Sequence, residues 1–210
     1  EWQIFRIAHF LGTEPAMEGP VAERRALPVE HVLDEYVAFS EQAGNIFAMA
    51  QDPPMADMEL AMNDLGTHKM SMFASTFTFD VYTHLRHDVL QPRGSIDRPE
   101  PPRDAMRVGA TLDWMLAGLP WMAEAGLAFM DQPVVLTLTG PGGGTWTISP
   151  GAEGGRVTID EGAGAAAATI TSDAHDFVAW STHRRPWSEC VEISGDEAYA
   201  ARVLDAVRVS

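Results

Sequence analysis

Cysteine is almost missing from this chain: Cys190 stands alone among 210 residues. A single thiol excludes an intrachain disulfide and any cysteine-based metal cluster, which fits a reducing compartment, and the cytoplasm is the expected location. Basic charge is also scarce. Fourteen Lys and Arg stand against 30 Asp and Glu, a net charge of -16. A phosphate-binding surface needs clustered cations, so nucleic acid is not an expected partner, and anionic membrane surfaces are disfavoured for the same reason. No apolar run approaches the ~18 residues of a membrane span, and no signal-peptide pattern is present. Gly140-Pro-Gly-Gly-Gly144 lacks the Gly-Lys-Ser/Thr and following helix of a phosphate loop, so between strand-like runs it reads as a hairpin turn. Without a Gly-x-Ser-x-Gly sequence, a Ser-His-Asp hydrolase has no support.

What is present is ordinary globular composition, 46% hydrophobic and 21% charged, in a chain long enough for one large domain or two small ones. Residues 1–12 read as a helix, with Ile4, Ile7 and Leu11 at helical spacing and Gly12 as a C-terminal cap. A Pro/Glu/Gly-rich loop is expected over 13–28, and Pro28 opens a helix over about 29–50 that Asp52-Pro53-Pro54 ends. A third helix is expected from about 62 or 68 to 90. A proline-rich connector follows at 91–103, and helical character returns over 104–130, with Pro120 kinking or splitting it. From Pro133 the texture changes to short alternating runs at Val134–Thr139, Thr145–Ser149, Arg156–Asp160 and Ala166–Thr171. One helix from Ser172/Asp173 to about Thr182, a strand at Cys190–Ser194 and a helix over about 196–207 complete the chain. The reading is a helical part over 1–103, a connecting helix over 104–132 and a small α+β part over 133–210.

The residues that invite chemistry lie in Phe77–Asp88. On a helix Asp80, His84 and His87 stand at i, i+4 and i+7 and share a face, which the stripe Met70, Phe73, Phe77, Val81 marks as apolar. A carboxylate and two imidazoles facing a core need a partner such as a divalent metal; the alternative is a solvated helix end with unremarkable histidines. His9, Asp80 and His84 together would supply two nitrogens and one carboxylate oxygen with an open position, the ligand set of a catalytic zinc. Taken by itself, a histidine in that place is more often a hydrogen-bonded core residue than a ligand. Thr182-His-Arg-Arg-Pro-Trp187 places Arg184 and Arg185 at a helix end, either as cations favoured by the macrodipole or as a clamp for a carboxylate. Cys190, in an apolar strand-like segment, reads as a small buried hydrophobe rather than a nucleophile.

Three stretches carry a family resemblance. Trp2-x-Ile-x-x-Ile-Ala-His9-Phe-Leu-Gly12 and Phe79-Asp80-x-x-x-His84 resemble two helix motifs of the mycothiol-dependent maleylpyruvate isomerase family, a branch of the DinB-like metalloenzymes. Leu138–Ile148, followed by Arg184-Arg-Pro and Val191–Asp196, is similar to that family's sterol-carrier-like C-terminal domain. The resemblance implies an α + (α+β) protein: a DinB-like up-down helical bundle, its first helix missing, followed by a small sterol-carrier-like α+β domain. It implies that His9, Asp80 and His84 bind a divalent metal, Zn2+ before others, and that Arg184 or Arg185 reaches the active site. Asp80 replaces the family's usual Glu with a side chain one methylene shorter. His87 stands where relatives carry Asp, as a further ligand or a supporting group.

The function expected from this is a metal-dependent isomerase or S-transferase that uses mycothiol or a related thiol on a small activated diacid such as maleylpyruvate. The thiolate adds to a cis double bond, the bond rotates, and the thiol leaves, with Arg185, Arg184 and His87 as catalytic side chains. Two alternatives are a zinc-dependent hydrolase, with His87 or Asp88 as proton carrier, and a non-catalytic module whose α+β half holds an apolar ligand. Either a monomer or a homodimer is expected, with a small-molecule acid and a thiol as partners.

Overall fold

The structure is a computed structural model describing residues 14–62, 65–152 and 155–209. His9 and the helix expected over 1–12 lie outside these. The chain divides into two compact units between Phe73 and Ala74, whereas the sequence suggests a boundary at 103.

In the first unit, α1 (Glu14–Arg24) occupies most of the stretch expected to be a loop, and α2 (Val29–Met49) follows the extended Pro28 as expected. The Arg24 guanidinium ties the two helices, donating to both carboxylate oxygens of Glu35 at 2.6 and 2.8 Å. A 3-10 turn, Met55–Asp57, leads into a short antiparallel hairpin of β1 (Glu59–Ala61) and β2 (Thr67–Lys69), with Glu59 opposite Lys69. The side-chain amide of Gln51 closes this region by donating to the Ser71 carbonyl at 3.1 Å. No residue of α2 is buried, and Val29, Leu33, Tyr36, Val37 and Phe39 are exposed. The helical bundle expected of this half is therefore not seen among the described residues.

The second unit opens with α3 (Phe73–His84) and a π-helical turn, Leu85–Val89, that continues it. The helix expected from 62 or 68 thus starts at 73, because β2 and a 3-10 turn at Met70–Met72 come first. After the connector, α4 (Ala105–Met122) is capped by Asp104, whose carboxylate accepts from Arg107 N at 3.0 Å. Pro120 stays inside α4, and the break falls at Ala123, before the single-turn α5 (Glu124–Leu127).

The strands are β3 (Val134–Thr139), β4 (Gly144–Ser149), β5 (Thr158–Glu161), β6 (Ala168–Asp173) and β7 (Val191–Gly195); α6 (Ala174–Ser181) and α7 (Glu197–Ala206) follow β6 and β7. The sheet order is β5-β4-β3-β6-β7, antiparallel except for the central β3–β6 pair, which sets Leu136 beside Ile170. Gly140–Gly144 is the hairpin turn between β3 and β4. Gly142, at φ +77°, lies so close to α4 that an added Cβ would come within 2.6 Å of Gly109 N. Asp173 and Asp196 cap α6 and α7. The core joins Val108, Leu112, Met115 and Leu119 of α4 to Val134, Leu136, Leu138, Ile148 and Ile170 of the sheet and to Phe177, Val178, Val203 and Leu204 of the last helices. Spacings of three and four on the helices and two on the strands turn these residues inward. No helix among the described residues is long and apolar enough to cross a membrane.

Candidate functional site

The apolar stripe is buried at its start, at Met70 and Phe73, and is lost by Val81. Thr76, Tyr82, Thr83 and Arg86 are buried, while Val81 is 59% exposed. Asp80 and His84 accordingly sit on the open side, with side chains 63% and 56% exposed. A π-helical turn advances fewer degrees per residue than an α-helix. Because that turn begins at Leu85, His87 rotates off the Asp80/His84 face into the interior.

On the open side, four residues form a network. Asp80 Oδ1 lies 3.5 Å from His84 Nε2, and His84 Nδ1 lies 2.6 Å from Asp88 Oδ2. Arg184, from the segment after α6, donates through Nε and Nη2 to the two oxygens of Asp88 at 3.0 and 2.6 Å. Arg93 donates to the Arg184 carbonyl. The hydrogen bond from Arg184, together with that from His84, holds the Asp88 carboxyl well below the usual carboxylate range. A contact of 2.6 Å to a carboxylate requires a proton on His84 Nδ1, so in the neutral ring Nε2 carries its lone pair towards Asp80. Both groups are more than half exposed, so water, a second proton on the imidazole or a cation can satisfy the two facing acceptors.

Beneath this network lies a buried cluster. Tyr82 Oη and His175 Nδ1 are 2.8 Å apart, His175 stacks on His87 with centroids 5.7 Å apart, and the Arg86 guanidinium lies 3.8 Å over the Tyr82 ring. Burial, reinforced by His175, Arg184 and Arg93, pushes the His87 imidazole down to about 4. His175 shifts in the same direction through burial and the charges of Arg103 and Arg86. Both rings are neutral at neutral pH.

Arg184 also lines an open pocket of about 400 Å³ at the end of α6, with Trp180, His183, Arg185, Pro186, Trp187, Ser188, Leu204 and Asp205. His183 reverses the chain there. It sits at φ +57°, and the amides of His183 and Arg184 bond back to the carbonyls of Trp180 and Ala179, the hydrogen-bond pattern of a Schellman cap with histidine in the usual glycine position. Arg185 donates to Asp176 Oδ1 at 2.9 Å and Glu189 Oε2 at 3.3 Å, and Trp187 Nε1 donates to Asp205 Oδ1 at 2.8 Å. A guanidinium has five donors. These bonds leave Arg184 Nη1 and Arg185 Nη2 unengaged among the described residues. Cys190 is half-buried and its thiol is pushed up by burial, as a structural cysteine requires.

Asp80 and His84 are thus brought together, Arg184 reaches them through Asp88, and Arg185 shares a pocket with Arg184. His87 belongs to the inner cluster, and His9 lies outside the described residues. No group of three metal-binding side chains is present among the described residues. His175 does not stand out in the sequence, and Asp88, expected there only as a proton carrier, is marked as a partner of His84 by its place four residues after it.

No protein-family model matches the chain, and no curated protein matches it. Among solved structures the chain is similar to the conserved protein TT1886 of Thermus thermophilus, described as possibly a sterol carrier protein, with 17% identity, 40% of this chain and 68% of that one covered, and a TM-score of 0.31. It is similar also to sterol carrier protein 2 like 2 of Aedes aegypti, with 17% identity, 64% and 97% covered, and 0.30. Sterol carrier protein domain 2 of Helicoverpa armigera gives 18% identity, 56% and 98% covered, and 0.32. The mixed helix-and-sheet architecture of this chain rests on its own strand register, and the maleylpyruvate isomerase resemblance has no support beyond its motifs.

Proposed function

We propose that this chain binds a small organic anion with an apolar body, such as an aromatic carboxylate, in the pocket at the end of α6. The observation that carries this reading is one cavity joining two guanidiniums that retain donors to the rings of Trp180 and Trp187, in a chain of net charge -16. Arg184 is paired with Asp88 and Arg185 with Asp176 and Glu189, and each guanidinium keeps one Nη group that can donate to a ligand carboxylate. The tryptophans and Leu204 take the apolar body, and about 400 Å³ suits a small ligand. Binding is tested by titrating tryptophan fluorescence with benzoate and with its neutral counterpart benzyl alcohol. Benzoate is expected to give a saturable change that Arg185→Gln weakens about tenfold, a loss of ~1.4 kcal/mol. Equal responses to the two compounds would sink the proposal.

A second reading keeps the resemblance: a metal- and thiol-dependent isomerase or S-transferase acting on a small diacid such as maleylpyruvate. It is favoured by the fixing of His84 Nδ1 on Asp88, which aims Nε2 at the side of Asp80. Carboxylate-held imidazoles are the usual form of a metal-ligating histidine. Asp80 and His84 would hold the metal, with His9 as the third ligand that the resemblance implies. A bound divalent ion supplies positive charge that stabilises a thiolate. Asp88 sets the orientation of His84, and Arg184, bonded to the same carboxylate, places a substrate carboxylate beside it. Metal content near one equivalent, lost in His84→Ala and kept in Arg185→Gln, supports this reading. A metal-free protein that still binds benzoate keeps the first and removes the second.

A further inference from the structure

The buried side-chain polar atoms without a hydrogen-bond partner among the described residues are Thr83 Oγ1, Arg86 Nε and His87 Nε2. They are not scattered: 83, 86 and 87 lie within five residues, where α3 passes into its π-helical turn. Single-turn π segments occur often at functional sites. A buried polar atom left unpaired carries its full desolvation penalty, so three on one helical turn point to a bound polar species. All three can donate, through guanidinium N–H, hydroxyl and imidazole N–H.

Charge decides what that species is. Arg86 is 3% exposed, and its Nη2 donates to the neutral carbonyls of Pro101 and Pro102 at 2.8 and 2.9 Å rather than to a carboxylate. Around the His87–His175 stack act the cations Arg86, Arg93, Arg103 and Arg184 and the carboxylates Asp88, Glu100 and Asp176. Each carboxylate already has a salt bridge elsewhere: Asp88 to Arg184, Glu100 to Arg103 and Asp176 to Arg185. Arg86 is left as a buried cation with no carboxylate in salt-bridge contact: the Tyr82 ring lies 3.8 Å below it, and Glu100 acts on it only at longer range, a costly arrangement. A water would satisfy the donors but not the charge. We propose that Thr83, Arg86 and His87 form a binding site for a small oxyanion, a carboxylate group in particular, distinct from the pocket at the end of α6. His87 is half-buried as a residue, although its Nε2 is enclosed like the other two donor atoms.

The test titrates the labelled full chain with sodium acetate at neutral pH and constant ionic strength, following the ring resonances of His87 by NMR. A saturable shift is expected, weakened about tenfold or more in Thr83→Val and Arg86→Gln and unchanged in Arg185→Gln. Thr83→Val removes only a hydroxyl and keeps its shape, so it carries the test if Arg86→Gln does not fold. An absence of saturation overturns the proposal, and so does a higher melting temperature of Thr83→Val with acetate binding unaltered, the sign of a water-filled site. Acetate binding lost in Arg185→Gln but kept in Thr83→Val also overturns it, because the anion then sits in the pocket of the first proposal.

Discussion

Acid should unfold the second unit in a way that one side chain largely governs. His87 has an ordinary value of 6.5, and in the folded chain burial pushes it down to about 4. Between these values the unfolded chain holds a proton on His87 that the folded chain does not, so stability falls as pH drops through this window. Above 6.5 the contribution is fully present; below about 4 it has been lost. At ~1.36 kcal/mol per pH unit the interval sets an upper bound of about 3 kcal/mol, which solvent screening of a half-buried ring lowers, against the roughly 5–15 kcal/mol typical of a domain. Burial moves His175 in the same direction and adds to the loss. Asp88, depressed by Arg184 and His84, acts at lower pH, so its effect separates from that of His87. His87→Phe keeps a flat ring against His175 and removes the titration. Urea unfolding is followed by fluorescence of Trp114, Trp121, Trp146, Trp180 and Trp187, all in the second unit. The wild-type chain should lose more stability than His87→Phe between neutral pH and pH about 4, by up to about 3 kcal/mol. Parallel stability curves for the two proteins over that window would refute the reasoning.

Two further outcomes follow from the packing and the reversal at α6. Met115→Ala empties a fully buried site in α4 and should cost about 2–5 kcal/mol by thermal or urea unfolding; a cost near zero would mean that α4 does not anchor the sheet. His183→Gly relieves a left-handed residue at a helix cap and should leave stability unchanged or raise it by up to about 1 kcal/mol, read as a melting temperature, whereas a marked loss would assign the residue a packing role through its 3.3 Å contact with the Val207 carbonyl.

Much of the second unit was legible because its signals are local. Val134–Thr139 alternates with period two, Gly140–Gly144 supplies a tight turn, and Asp173 stands at the helix cap expected of it. The first unit was harder. Gly19 and Pro20 lie inside α1, so its composition reads as a loop. The candidate site was legible in part: Asp80 with His84, and the pair Arg184 and Arg185, came from spacing and residue type. The direction of His87 did not, because the π-helical turn changes the phase of the helix without any residue that announces it. The pairing of Arg184 with Asp88 spans 96 positions and depends on the path of the chain between them. Exposed Val81 and buried Arg86 reverse the expectation from hydropathy, and both follow from the same misplaced face.

Occupation of the pocket beside Arg184, Arg185 and Trp187 by a small organic anion is the proposal on which the functional reading depends. Its most direct measurement is the location of benzoate by NMR on the labelled full chain, through the indole N–H of Trp187 and the guanidinium N–H groups of Arg184 and Arg185. Saturable shifts centred on those groups, absent with benzyl alcohol, are the predicted result. Shifts that leave these three residues untouched while benzoate binds elsewhere, or no binding at all, would contradict it.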